Sequence, residues 1–198
     1  AVNYNIQKEE GTLTITDRDD DKKLEITVTA KSDEQPYNGT EQKVEGFETL
    51  EFNVGGQVYK VEGLQAKAVG TDVKEGGYES KVTGTAVVRD AAGKDVTDQF
   101  KVKTENGKLT ITPIEIKLRS ESGSKPYDGT ALTMPKVTVV SGAFVEGEGF
   151  AEGSPRATGS VLYAGESEKN TIEYELAEGT KAVNYNIQKE EGTLTITD

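Results

Sequence analysis

The chain contains no cysteine, no histidine and no tryptophan, and one methionine in 198 residues. Without cysteine there is no disulfide framework and no thiolate for nucleophilic or metal chemistry. Without histidine the chain lacks the side chain that most often acts as a general base near neutral pH and most often ligates transition metals. Without tryptophan no indole face is offered to stack a sugar. Two carboxylates flanking a glycosidic bond are conceivable in any acidic chain, but no such pair stands out. The chain is therefore expected to be non-enzymatic. No apolar run approaches the roughly 18 residues of a membrane-spanning helix, so no membrane insertion of this segment is expected. No leader peptide opens the sequence, which fits a stretch excised from a longer protein. The lack of cysteine suits an extracellular surface protein of a Gram-positive bacterium about as well as a cytosolic one.

What is present points to sheets. Hydrophobic residues make up 33% and mean hydropathy is −0.60, so any cores are thin. Threonine, valine and 22 glycines favour strands and turns over helices. Asp and Glu number 35 against 23 Lys and Arg, a net charge of −12. Such a surface repels phosphate backbones and anionic lipid, which argues against a nucleic-acid partner.

Residues 1–17 and 182–198 are the same seventeen letters, AVNYNIQKEEGTLTITD. A shorter, degraded repeat lies between them. FKVKTENGKLTITP at 100–113 aligns with YNIQKEEGTLTITD at 185–198, and LEITVTAKSDEQPYNGT at 24–40 aligns with IEIKLRSESGSKPYDGT at 114–130. The organisation expected is a terminal hairpin of a preceding repeat at 1–17, a first β repeat domain at 22–113 and a second at 114–198. The whole reads as a window on a longer array.

Tyr4-Asn5-Ile6 and Thr12–Thr16 alternate apolar and polar residues, the period of a strand with one buried face. Gln7–Gly11 joins them, with Gly11 in a place that suits a positive φ, so 1–17 is expected to form a hairpin. The same alternation marks strands at Leu24–Val28, Gln57–Val61, Thr83–Val88, Ile114–Leu118, Val137–Val140 and Thr171–Leu176. Turn signals at Gly55-Gly56, Gly76-Gly77 and Ala92-Gly93 separate them. In PYNGT and PYDGT, proline presets φ, Asn38 or Asp128 caps the turn, and Gly39 or Gly129 takes the left-handed position. No amphipathic helix of ten residues is found. The fold class expected is all-β: two tandem small β-sandwich, immunoglobulin-like domains preceded by an extra β-hairpin, with β-grasp-like units as the alternative.

KPYDGTALT, GSVLYAGESEKNTIEYELAEG and NYNIQKEEGTLTITD together resemble the YDG/MBG-type tandem repeats of Gram-positive cell-surface adhesins. The resemblance covers the second unit almost end to end and the first at its two ends, while Glu45–Gly70 departs from the pattern. It implies tandem immunoglobulin-like or β-grasp-like modules in a secreted protein at the bacterial cell wall. The function implied is a stalk that projects or mediates attachment. Neighbouring repeats of the same protein are the partners expected. The alternative is an adhesion module that binds a host glycan or protein, with Phe144, Phe150 and Tyr78 as candidate contacts. The resemblance implies no catalytic residue and no cofactor. Lys117 and Asn184, in an opening and a closing strand, are candidates for the lysine–asparagine isopeptide bond that many such stalks carry. Asp17, Asp19, Asp20 and Asp21, in the linker before the first unit, are candidate ligands for a calcium ion that would stiffen the joint, although the spaced pattern of an EF-hand loop is absent.

Overall fold

A computed structural model describes residues 7–198. The chain is all-β and sandwich-like. The helical turns among the described residues are single 3-10 turns at Asp20–Lys22, Thr97–Gln99 and Ala182–Asn184. The β-grasp alternative needs a helix laid across the sheet, and none occurs among the described residues.

The first unit holds β1 (Leu24–Thr29), β2 (Asp33–Pro36), β3 (Gln42–Glu45), β4 (Glu51–Val54), β5 (Gln57–Gly70), β6 (Tyr78–Arg89), β7 (Phe100–Glu105) and β8 (Gly107–Thr112). The second holds β9 (Ile114–Ser120), β10 (Gly123–Pro126), β11 (Val137–Ser141), β12 (Arg156–Ala157), β13 (Ser167–Asn170), β14 (Ile172–Glu173), β15 (Tyr185–Glu190) and β16 (Gly192–Thr197). Alternation sets the faces: in β1, Ile26 and Val28 are buried while Glu25 and Thr27 are exposed. In β16, Leu194 and Ile196 are buried and threonines alternate with them.

Both units are closed in the same way. The opening strands pair in parallel with the closing strands, β1 with β7 and β2 with β8, then β9 with β15 and β10 with β16. The registers agree: Leu24 faces Phe100 as Ile114 faces Tyr185, and Asp33 faces Leu109 as Gly123 faces Leu194. A third strand then completes the second ladder, β6 antiparallel to β8 and β13 antiparallel to β16.

This corrects the reading of the closing motif as a hairpin. Its two strands lie in different sheets and do not pair with each other. The chain crosses between sheets at Asn106 or Glu191, and the glycine that follows serves close approach rather than a turn. Gly107 and Gly192 have no positive φ, and an added Cβ would lie 2.1 Å from the Lys31 carbonyl oxygen and 2.3 Å from that of Glu121. In the N-terminal copy, Tyr4-Asn5-Ile6 falls outside the described residues. Thr12–Thr16 forms no strand, Gly11 has no positive φ, and Leu13 and Ile15 are 100% exposed. The opening strands that follow, β1 and β2, pair with β7 and β8. The expected strand at Thr171–Leu176 is likewise shorter, keeping Ile172–Glu173 and one bridge from Leu176 to Phe150.

The two units diverge in the middle. In the first, β5 and β6 make a long antiparallel pair with a bulge after Glu62. Gly63 and Gly84 hold it with φ of 82° and 99°. The bulge lets one ladder serve two cores. Val61 and Val88 pack with Ile26, Val28 and Phe100, while Ala68 packs with Tyr37, Val44, Leu109 and Ile111. That second cluster continues into Ile116, Leu118, Ile172 and Tyr185 of the second unit, so the two units share it. A third cluster, Val161, Leu194 and Ile196, lies at the far side of the second unit.

Candidate functional site

The most heavily built place in the chain is the junction between the units. β8 ends at Thr112 and β9 begins at Ile114, leaving Pro113 alone between them. The turn that follows β2 faces this junction. Its Asn38 carboxamide oxygen accepts hydrogen bonds from the Thr40 backbone N–H at 2.9 Å and hydroxyl at 2.8 Å, and Gly39 has φ of 76°. Asp128 repeats the arrangement with Thr130 at 2.9 and 2.7 Å. The turn chemistry thus matches the expectation from sequence in both units.

The turn tyrosine does something else. Tyr37 is buried, and its hydroxyl donates to the Glu148 carboxylate of the second unit at 2.5 Å. Its ring meets Tyr185 edge to face, with centroids 5.7 Å apart. Tyr185 meets Phe144 at a tilt, and Phe144 meets Phe150, and Phe150 Tyr174, edge to face. The Tyr185 hydroxyl oxygen accepts from the Val145 N–H at 3.2 Å. Burial first, and the Glu148 carboxylate second, hold the Tyr37 phenol well above the usual tyrosine range. Burial pushes Tyr185 up to about 12. Glu148 presents its second carboxylate oxygen, also buried, without a hydrogen-bond partner.

A polar clasp flanks the aromatic one. Asp72 and Val73 lie in the loop between β5 and β6, and Asn184 lies in the 3-10 turn before β15. Asn184 is fully buried. Its side-chain amide donates to Asp72 at 2.9 Å and its oxygen accepts from the Val73 N–H at 2.8 Å. Lys181 donates to the other Asp72 oxygen at 2.6 Å. The Lys181 ammonium, then the Asn184 amide, hold the Asp72 carboxyl below the usual carboxylate range, and Asp72 in turn raises Lys181. The Tyr78 hydroxyl donates to the Asp72 carbonyl at 2.9 Å, fixing the loop. With both carboxylate oxygens engaged and the amine held charged, the cluster is suited to joining two surfaces.

The structure redistributes the residues singled out from sequence. Phe144, Phe150 and Tyr78 are half-buried packing residues at the junction rather than free contact surfaces. Lys117 pairs with Glu190 at 2.9 Å while Asn184 is held by Asp72 and Val73, so the structure does not bring Lys117 and Asn184 together. In the linker, Asp17 accepts from the Gln99 amide at 2.9 Å, Asp19 pairs with Lys22 at 2.9 Å, Asp20 with Lys23 at 2.7 Å, and Asp21 is exposed. Among the described residues no three acidic side chains gather as a cation site. Among the described residues the exposed tyrosines are Tyr127 and Tyr163, at 53% and 60%. They flank one end of β16, where the Tyr127 N–H bonds the Thr197 carbonyl and the Gly165 N–H bonds that of Ile196. A groove of about 740 Å³ on the second unit contains Tyr174, but Lys189 lies 5.1 Å above that ring.

Asp72, Glu148 and Lys181 carry no sequence signal, because they sit in loops of different units. Asn184 has a weak one, since it immediately precedes Tyr185 as Gln99 precedes Phe100. Gln99 also reaches back to an aspartate outside the ladder, Asp17. Compared with known protein families, curated proteins and solved structures, the chain matches none.

Proposed function

We propose that this chain is a non-catalytic structural segment of a bacterial cell-surface repeat protein, a stiff spacer that projects other parts of that protein away from the wall. One observation carries the reading. Two repeat units are fused through a shared core and a double clasp, Tyr37–Glu148 and Asp72–Asn184–Lys181, with a single proline between their strands. Independent binding modules need no such joint, whereas a spacer needs a fixed angle between successive units. The motif resemblance to wall-anchored adhesins supports an extracellular place.

The test is small-angle scattering at low protein concentration on the wild type beside Asp72→Ala/Asn184→Ala. A wild-type profile fitted by one rigid shape, with the variant fitted only by a spread of inter-unit angles, supports the reading. A wild type as variable as the variant sinks it.

A second reading rests on the exposed Tyr127 and Tyr163. Rigid aromatic faces of this kind anchor glycans and proteins. A glycan array in which reproducible binding disappears in Tyr127→Ala or Tyr163→Ala would move the function to adhesion.

A further inference from the structure

The stretch Glu45–Gly70, where the first unit departs from the repeat, leaves a gap in the sheet. β3 pairs with β5 at residues 67–70 and β4 pairs with it at 57–60. Among the described residues no strand lies beside 61–66 on that side. Backbone bonds tie both ends of the gap, the Gly46 N–H to the Ala66 carbonyl at 3.0 Å and the Val61 N–H to the Leu50 carbonyl at 2.8 Å. Between these ties the chain swings away to β1, where Phe47 bridges Ala30 and the Glu48 N–H bonds the Thr29 carbonyl. The result is a groove of about 650 Å³ lined by Phe47, Leu50, Leu64 and Ala66, with the exposed Lys67 and Lys81 beside them.

Those two lysines face each other directly across β5 and β6. Like charges in facing positions of an antiparallel pair repel. Elsewhere two neighbouring cations share one carboxylate: Lys101 and Lys103 hold Glu25, and Lys117 and Arg119 hold Glu190. Acidic residues outnumber basic ones, 35 to 23. Yet among the described residues neither Lys67 nor Lys81 has a carboxylate oxygen within 4.0 Å. Glu45 faces Lys67 from β3, but its carboxylate pairs with Lys43 at 3.4 Å.

We infer that this groove binds a small monocarboxylate with an apolar body, of the kind of a medium-chain fatty acid. The carboxylate sits between the Lys67 and Lys81 ammonium groups, as Glu25 and Glu190 sit between their own cations. The apolar body lies on Phe47, Leu50 and Leu64. Such a division, an apolar lining with a few placed charges, is what small-molecule sites have in common, and the volume falls in their usual range. The backbone ties at both ends keep an extended peptide from running through the gap, which selects a compact occupant. A single charge also suits a chain whose net charge of −12 repels polyanions. The site stands apart from the spacer reading, since it lies away from the junction and binding there leaves the joint unchanged.

The test is a nuclear magnetic resonance titration of the full chain at low salt, with octanoate as the probe, kept below its micelle threshold. The expected result is saturable shifts at the amides of Phe47, Leu64, Lys67 and Lys81, with a Kd on the order of 1 mM or tighter for a ligand of this size. Octanol is expected to bind at least tenfold more weakly, and octylammonium to give no saturable shift. Lys67→Gln/Lys81→Gln should weaken octanoate at least tenfold, and both side chains are exposed, so the fold survives the change. Without ligand, Lys81→Glu should raise the melting temperature, because it turns a repelling pair into an attracting one. No saturable shift with octanoate overturns the inference. So does equal binding of octanol, undiminished binding by the double variant, or a melting temperature that Lys81→Glu leaves unchanged or lowers.

Discussion

Leu13 and Leu194 stand in identical local sequences, yet one is wholly exposed and the other wholly buried. Their energetic weights should differ accordingly. Leu194→Ala is expected to cost about 2–5 kcal/mol, because the vacated volume beside Val161 and Ile196 is only partly refilled. Leu13→Ala should change stability by less than about 0.5 kcal/mol at micromolar concentration. Urea unfolding of the two variants checks both. The junction tyrosines make a second expectation at this scale. Tyr37 and Tyr185 are held above the ordinary tyrosine value, Tyr185 at about 12. Below pH of about 10 both folded and unfolded chains keep these protons, and no pH dependence arises from them. Above it the unfolded chain releases them first, so stability falls as pH rises through about 10 to 12. Ultraviolet titration should show a late phenolate phase that Tyr37→Phe diminishes, and the alkaline fall in melting temperature should be shallower in that variant.

At the scale of elements, the β5–β6 bulge is the feature most sensitive to a single atom. A Cβ on Gly63 would lie 2.3 Å from the Thr85 carbonyl oxygen on a backbone with φ of 82°. Gly63→Ala is expected to cost about 1–3 kcal/mol, read by thermal unfolding, and more than Gly55→Ala, whose added Cβ meets open space. Much of the element inventory was legible in the letters. Alternation in Leu24–Val28 and Ile114–Leu118 locates β1 and β9, and the PYNGT and PYDGT turns have the caps and glycine angles their residues require. Partnership was not legible. A period of two says that a strand has one buried face, and it is the same whether the neighbour is the next strand or one more than seventy residues away. Tyr185–Glu190 and Gly192–Thr197 therefore look like a hairpin in sequence while each lies beside an opening strand in space. Gly192, the first residue of the second strand, invites the hairpin reading, since close approach and a tight turn call for the same residue.

The whole molecule is two repeats with one shared core, and that sharing sets its unfolding behaviour. Leu109 and Ile111 of the first unit and Ile116, Leu118 and Tyr185 of the second belong to one cluster, so neither unit can open without exposing the face of the other. Calorimetry should show one cooperative transition for the wild type. In Tyr37→Ala/Asn184→Ala, which removes both clasps, it should split into two. The tandem organisation could be read from the repeat, but the junction could not, because its polar members come from loops that the repeat does not preserve.

The parallel pairing of opening strands with closing strands has a mechanical meaning. Tension applied at the two ends of a unit draws β1 backward and the closing strands forward, along their own axes. The six facing pairs between β1 and β7 are then sheared together rather than unzipped one after another. A ladder loaded in this way yields only when its facing pairs slip together, rather than one pair at a time.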